Sequence, residues 1–187
     1  MVRINMGLLR RLVNGIDWLA EWTGLTIRWL AVIIMLTMTL EVVMRYIFNS
    51  PTAWSYDITI MMGGAFFLIS APYVLLHKGH IRIDIFYSRY SPRMQRIVDI
   101  IFTVLFLFTG LAVFTQQAWK FAFWSLQVGE ISQFGYWEPT MTPFRFLVAI
   151  GFSILSLETI SWFIRELHAA ITGKELVTVE EGSFIRG

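Results

Sequence analysis

A chain of 187 residues that is 56% hydrophobic and 16% aromatic, with a mean hydropathy of +0.62, is too apolar for an ordinary soluble domain. Its net charge is +2 and its pI about 9.1, but the basic residues flank long apolar runs and form no aromatic-interleaved basic face, which argues against a nucleic-acid partner. With no cysteine, the chain has no structural disulfide, thiolate metal site, thiol redox chemistry or covalent haem attachment.

Residues 8–22 carry Arg10, Asn14, Asp17 and Glu21 at helical spacing, opposite Leu9, Leu12, Val13, Ile16 and Leu19. This predicts an amphipathic helix lying at the cytoplasmic interface, with Trp18, Trp22 and Trp29 stepping toward the bilayer. A first span is expected over about 25–48, interrupted in its outer third by Glu41 and Arg45. A basic start followed by an apolar run also resembles a signal peptide, but no small-x-small cleavage site follows, so the segment is expected to be retained. Asn49, Ser50 and Pro51 then form a turn.

The second span is expected over about 54–76, opened by Trp54 and Asp57, with Asp57 favoured by the positive end of the helix dipole and Pro72 kinking the last turns. Ile58 to Leu76 holds nineteen residues without a formal charge, about the number that crosses a bilayer core. A basic loop over 77–91 follows. Between Leu76 and Arg96 the chain carries Lys78, Arg82, Arg89, Arg93 and Arg96 against Asp84 alone, and short loops of this kind remain cytoplasmic.

Ser91 and Pro92 read as an N-cap and first helical residue, starting a third span over about 92–125 that tilts or projects from the outer face. The loop 126–142 has acids and aromatics and no Lys or Arg, which places it outside. A fourth span over about 143–168 is interrupted by Glu158, and Arg165, Lys174 and Arg186 hold the C-terminus inside, with a mobile tail over 172–187. Eleven of the fifteen Lys and Arg residues thus fall on the cytoplasmic side. The expected fold is an all-α membrane protein of one domain, with four transmembrane helices and both termini inside.

Ionisable groups within a bilayer are costly, so Glu41, Arg45, Asp57 and Glu158 each require a partner. Glu41 and Arg45 are spaced to pair along one helix, and Glu158 is placed to reach Arg165 or water. Contact with a partner subunit is the other reading. His77 and His80 share a helix face, but Gly79 lies between them and the spans hold no histidine pair for haem, so both rings are expected at the inner headgroup layer. Most of the eight tryptophans sit near span ends, as an interfacial belt does. No Ser-His-Asp set, phosphate-binding glycine loop or carboxylate pair is readable, so no catalytic, cofactor or metal residues are assigned.

The order of these features resembles a family. EVVMRYIFNSPTAWSYD, an apolar span, and then GHIRIDIFYSRYSPRMQR are similar to the small integral-membrane (Q) subunit of tripartite ATP-independent periplasmic (TRAP) transporters. The matching pieces are Arg45-Tyr46 with Phe48, Trp54 followed by an acid, Gly79-His80-Ile81 with Asp84, and Pro92-Arg93; weaker similarity runs through Gly129, Glu130, Ser132 and Pro139. Tyr56 stands where the family often has the first of two acids, leaving Asp57 alone.

The resemblance implies a scaffold role in the bacterial inner membrane: a subunit that packs against a large elevator-type membrane subunit, coupled to sodium and fed small organic acids by a periplasmic solute-binding protein. It also implies a short interfacial helix over 81–90, with Ile81, Ile85 and Phe86 toward lipid. The expected partners are those two proteins and membrane lipids. Glu41, Arg45, Trp54, Asp57, His80, Asp84 and Glu158 are the candidates for structural or partner contacts. The rival reading is a membrane anchor or electron-transfer subunit of an oxidoreductase.

Overall fold

The structure is a computed structural model that describes residues 6–77, 94, 95, 98, 101 and 103–172. The expected interfacial helix over 81–90, His80, Asp84, the helix start at Ser91-Pro92 and the tail beyond 172 lie outside the described residues. The described chain is helical: α1 (Met6–Tyr46), α2 (Ser55–Leu76), a π-helical stretch (Thr103–Phe108) leading into α3 (Thr109–Val128), and α4 (Thr142–Thr172). One isolated antiparallel bridge, Ile131 to Thr140, closes the loop between α3 and α4.

The structure differs from the sequence reading at the N-terminus, where an interfacial helix and a separate span become one helix of 41 residues, about 60 Å long. No proline interrupts Met6 to Tyr46. Gly24, a glycine near the expected junction of the two, is pressed against the side chain of Tyr73 on α2, so tertiary contact holds it helical. The hydroxyls of Thr23 and Thr26 return to the carbonyls of Ala20 and Trp22 at 2.9 and 2.8 Å, adding no unpaired polar group there.

The face that α1 buries also differs. Asp17 and Glu21 turn inward with Val13 and Ala20, while Leu12, Trp18, Trp22 and Trp29 are exposed. The stripe thus divides: its second half, Asp17 and Glu21, points into the bundle, while Arg10 and Asn14 are exposed and Val13 of the apolar set is buried. Further along α1, Ile33, Met35 and Leu36 are exposed.

Helices α1, α2 and α4 pack on one another, and α3 packs chiefly on α4. Small residues permit the close approaches, since a Cβ on Gly151 of α4 would lie 3.1 Å from the Leu68 Cβ of α2. Among the described residues, α1, α2 and α4 are long and apolar enough to cross a membrane. Helix α3 is not, because Gln116, Gln117, Lys120 and Gln127 dilute its apolar residues. It is joined to α4 by a polar seam: Thr115 and Ser156 share a hydrogen bond of 2.9 Å, and the Trp119 indole donates to Ser153 at 3.0 Å.

Alternation of helix direction brings the start of α1, the end of α2 and the end of α4 to one end of the bundle, called here the termini end. The turn between α1 and α2 and the loop between α3 and α4 form the opposite, loop end. Glu21 and Glu41, Asp57 and His77, and Arg145 and Arg165 are each twenty residues apart, about 30 Å of helix, which matches the hydrocarbon thickness of a bilayer. Two charged layers thus bracket a mostly apolar slab, within which Arg28 of α1, Lys120 of α3 and Glu158 of α4 are the charged residues among those described.

Candidate functional site

At the termini end, Arg165 of α4 joins two helices by a single guanidinium. Its Nη1 donates to Asp17 Oδ2 of α1 at 3.0 Å and its Nη2 to Glu158 Oε1 at 2.8 Å. Ser161 donates to Asp17 Oδ1 at 2.7 Å, so both Asp17 oxygens are held. Glu158 is completely buried and its Oε2 has no hydrogen-bond partner among the described residues. Beside this group, His77 Nε2 lies 3.4 Å from Glu21 Oε2, while its Nδ1 is 3.1 Å from the Tyr73 carbonyl and its ring lies 4.3 Å from that of Tyr73. These pairings tie α1 to both α4 and α2.

At the loop end, Glu41 gathers the turn that follows its own helix. Arg45 Nε donates to Glu41 Oε1 at 3.0 Å, as the i, i+4 spacing predicts. The other oxygen accepts from the Thr52 amide at 3.0 Å and from its hydroxyl. Within that turn Asn49 adopts a positive φ of 50°, a conformation asparagine tolerates, and the Ser50 amide donates back to the Met44 carbonyl at 2.9 Å. Glu41 is thus satisfied inside the chain, while Arg45 remains half exposed.

Asp57, in the first turn of α2, reaches across to the α3–α4 loop and accepts from the Ser132 hydroxyl. It is fully buried, and Gly135 lies so close that a Cβ there would collide with its carboxylate. Trp54 is half-buried at the helix start, and its carbonyl accepts the Ile58 amide at 3.1 Å. The same loop is held at its base by Arg145, whose Nε and Nη2 donate to the two oxygens of Glu130 at 3.0 and 2.6 Å. That guanidinium also lies 4.5 Å from the centre of the Phe121 ring on α3.

The two-pronged bond from Arg145 holds the Glu130 carboxyl below its ordinary value of 4.5. A depressed folded value means that this pair stabilises the loop above the ordinary carboxylate range, and that the contribution is lost as pH falls through the folded value. Glu130→Gln is therefore expected to lower the melting temperature in detergent near neutral pH, by the equivalent of about 1 kcal/mol for a partly exposed pair. The gap to the unaltered protein should close as pH falls through the lowered folded value, below which the carboxylate is protonated in both folded and unfolded states. A gap independent of pH would remove the charge from this account.

The structure gives Glu41, Arg45, Asp57 and Glu158 partners within the chain. Residues not singled out in the sequence as site candidates complete those groups: Asp17, Ser161 and Arg165 at one end, and Ser132, Gly135, Glu130 and Arg145 at the other. Asp17 had a visible signal, an acid on a helix otherwise continuous with an apolar span, but a polar stripe can face water or a protein interior. Chemically, these groups cross-link helices. Among the described residues, no set of three or more His, Asp or Glu side chains is arranged to hold a metal ion.

Comparison with known proteins accords with this arrangement. A family model described as the DctQ component of tripartite ATP-independent periplasmic transporters matches residues 34–169. The chain belongs to this family. No curated protein matches it. Membership makes the chain a small subunit of a TRAP transporter, a transport component and not an enzyme, working with other components of the same system. Together with its three long apolar helices, it makes the protein a multi-pass component of the inner membrane.

Proposed function

We propose that this TRAP subunit is a scaffold for a sodium-coupled importer of small organic acids, packing against and supporting a large elevator-type membrane subunit supplied by a periplasmic solute-binding protein. The observation that carries this reading is the placement of charge: the carboxylates of Asp17, Glu41, Asp57 and Glu158 each bond inward to another part of the same chain, while large apolar side chains face out. Such a bundle supports a neighbour. Neither α1 nor α2 lines a polar column for a solute through the middle of the bundle, since Ile58 to Leu76 of α2 and Trp29 to Leu40 of α1 hold no charged residue.

In this reading α3 is the fourth span, and both termini lie in the cytoplasm, in keeping with the excess of Lys and Arg at the termini end. The loop end then faces the periplasm. The test is recovery of a tagged chain from its native membrane in mild detergent. A large multispan protein is expected to accompany it, and deletion of the chain should abolish sodium-dependent uptake of an organic acid. A haem Soret band, a bound flavoprotein, or a chain that purifies alone would overturn the proposal.

A further inference from the structure

The outer side of α3 does not suit lipid. Gln116, Lys120, Trp124 and Gln127 recur at spacings of four, four and three, so they form one stripe, and all four are exposed. The side of α3 that meets α4 carries Leu111, Thr115, Trp119, Ala122 and Ser125, so the stripe lies on the other side of the helix. Its depth follows from the seam. Thr115 bonds Ser156, which lies eleven residues beyond Arg145 and nine before Arg165, so Gln116 sits near the middle of the slab. Trp119 bonds Ser153, eight residues beyond Arg145, so Lys120 sits about 12 Å inside the loop-end layer.

A glutamine amide facing hydrocarbon loses its hydrogen bonds, and a lysine there loses the solvation of its charge. Among the described residues no carboxylate pairs with Lys120, and none of the hydrogen bonds found involves the Gln116 side chain. Alongside the stripe, a cavity of about 370 Å³ opens between α3 and α4, bordered by Gln116 and by Phe108, Ala112, Ser156 and Ile160. Polar side chains and an adjacent apolar recess are what a crossing helix engages when it packs in a membrane.

We infer that the Gln116–Lys120–Gln127 stripe of α3 is the seat of a transmembrane helix of the large subunit, one that presents an acid to Lys120 and a hydrogen-bonding side chain to Gln116. The inference rests on the scaffold reading and specifies which face of the chain meets its partner. The unpaired cation selects the partner by charge, since an acid buried opposite Lys120 satisfies both groups. Arg28 of α1 is also exposed, seven residues inside the Glu21 layer, and its guanidinium lies 5.9 Å from the centre of the Trp29 ring; the exposed faces of α1 and α2 carry no other charge between the layers and are left to lipid.

Because the chain has no cysteine, single cysteines can be placed at Gln116, Lys120 and Gln127, and for comparison at Met35 of α1 and Phe67 of α2. Each full-length variant, co-expressed with the large subunit in native membranes, is labelled with a benzophenone maleimide and irradiated. Cross-links to the large subunit are expected from the three α3 positions and not from Met35 or Phe67. Cross-links from Met35 or Phe67 alone would overturn the inference while preserving the scaffold reading; none from any position would overturn both. A cross-link from α3 to a second copy of this chain would also overturn it. Independently, Lys120→Glu should reduce co-purified large subunit at least about tenfold, as expected for two like charges forced together in a buried contact, and Lys120→Arg should retain it. Equal recovery with Lys120→Glu would count against the charge contact.

Discussion

Replacing Arg165 with leucine is expected to destabilise the bundle by about 3–5 kcal/mol, because it leaves Asp17 and Glu158 without the cation between them. The guanidinium is only 12% exposed, and the Asp17 and Glu158 side chains are 10% and 0% exposed, so water cannot replace the lost partner. Two carboxylates turned toward one unfilled position also repel each other. Loss of monodisperse protein in detergent, or a large fall in melting temperature, is the expected readout.

A companion variant separates ion pairing from mere burial. Glu158→Gln removes a carboxylate whose second oxygen has no partner among the described residues, and leaves Arg165 to Asp17, so it is expected to be near neutral or stabilising. If Arg165→Leu were tolerated as well as Glu158→Gln, the network would not be what joins α1 to α4.

Gly24→Leu is expected to separate α1 from α2 and to destabilise the protein by about 3 kcal/mol or more, at the upper end of overpacking effects. A Cβ at Gly24 would meet not only the Tyr73 ring but also the Tyr73 Cβ, at 2.6 Å, so rotating the ring does not relieve the clash. In a bilayer this matters more than in water, since helices gain no hydrophobic driving force by associating and depend on close packing. Displacing Tyr73 also disturbs His77, whose ring packs on it and whose Nε2 faces Glu21. Pairing Gly24→Ala with Tyr73→Ala should recover part of the melting temperature lost with Gly24→Ala alone; strictly additive losses would refute the contact.

The helices were legible because apolar runs of span length and charge-rich breaks are local signals. So was the Glu41–Arg45 pair, which lies on one helix face, and so was the reach of Arg165 to Glu158, two turns away on the same helix. Asp17 was legible only as polar. A stripe of Arg10, Asn14, Asp17 and Glu21 satisfies a water-facing helix and an inward-facing one equally, and the choice depends on Ser161 and Arg165, more than 140 residues away in sequence. Gly24 reads locally as a weak point between an interfacial helix and a span, but Tyr73 makes it a packing position.

By itself, the sequence determined that this protein is helical and membrane-embedded, because the length of an apolar run and the cost of an unpaired backbone group in lipid leave few other outcomes. Its ordered motifs likewise carried the TRAP resemblance. Only the tertiary structure decided which way each polar residue faces: Asp17, Glu21, Asp57 and Glu158 inward, and Gln116 and Lys120 outward. The physical reason is that in lipid a polar side chain is placed by its partner, and the partners of Asp17 and Asp57 come from distant parts of the chain.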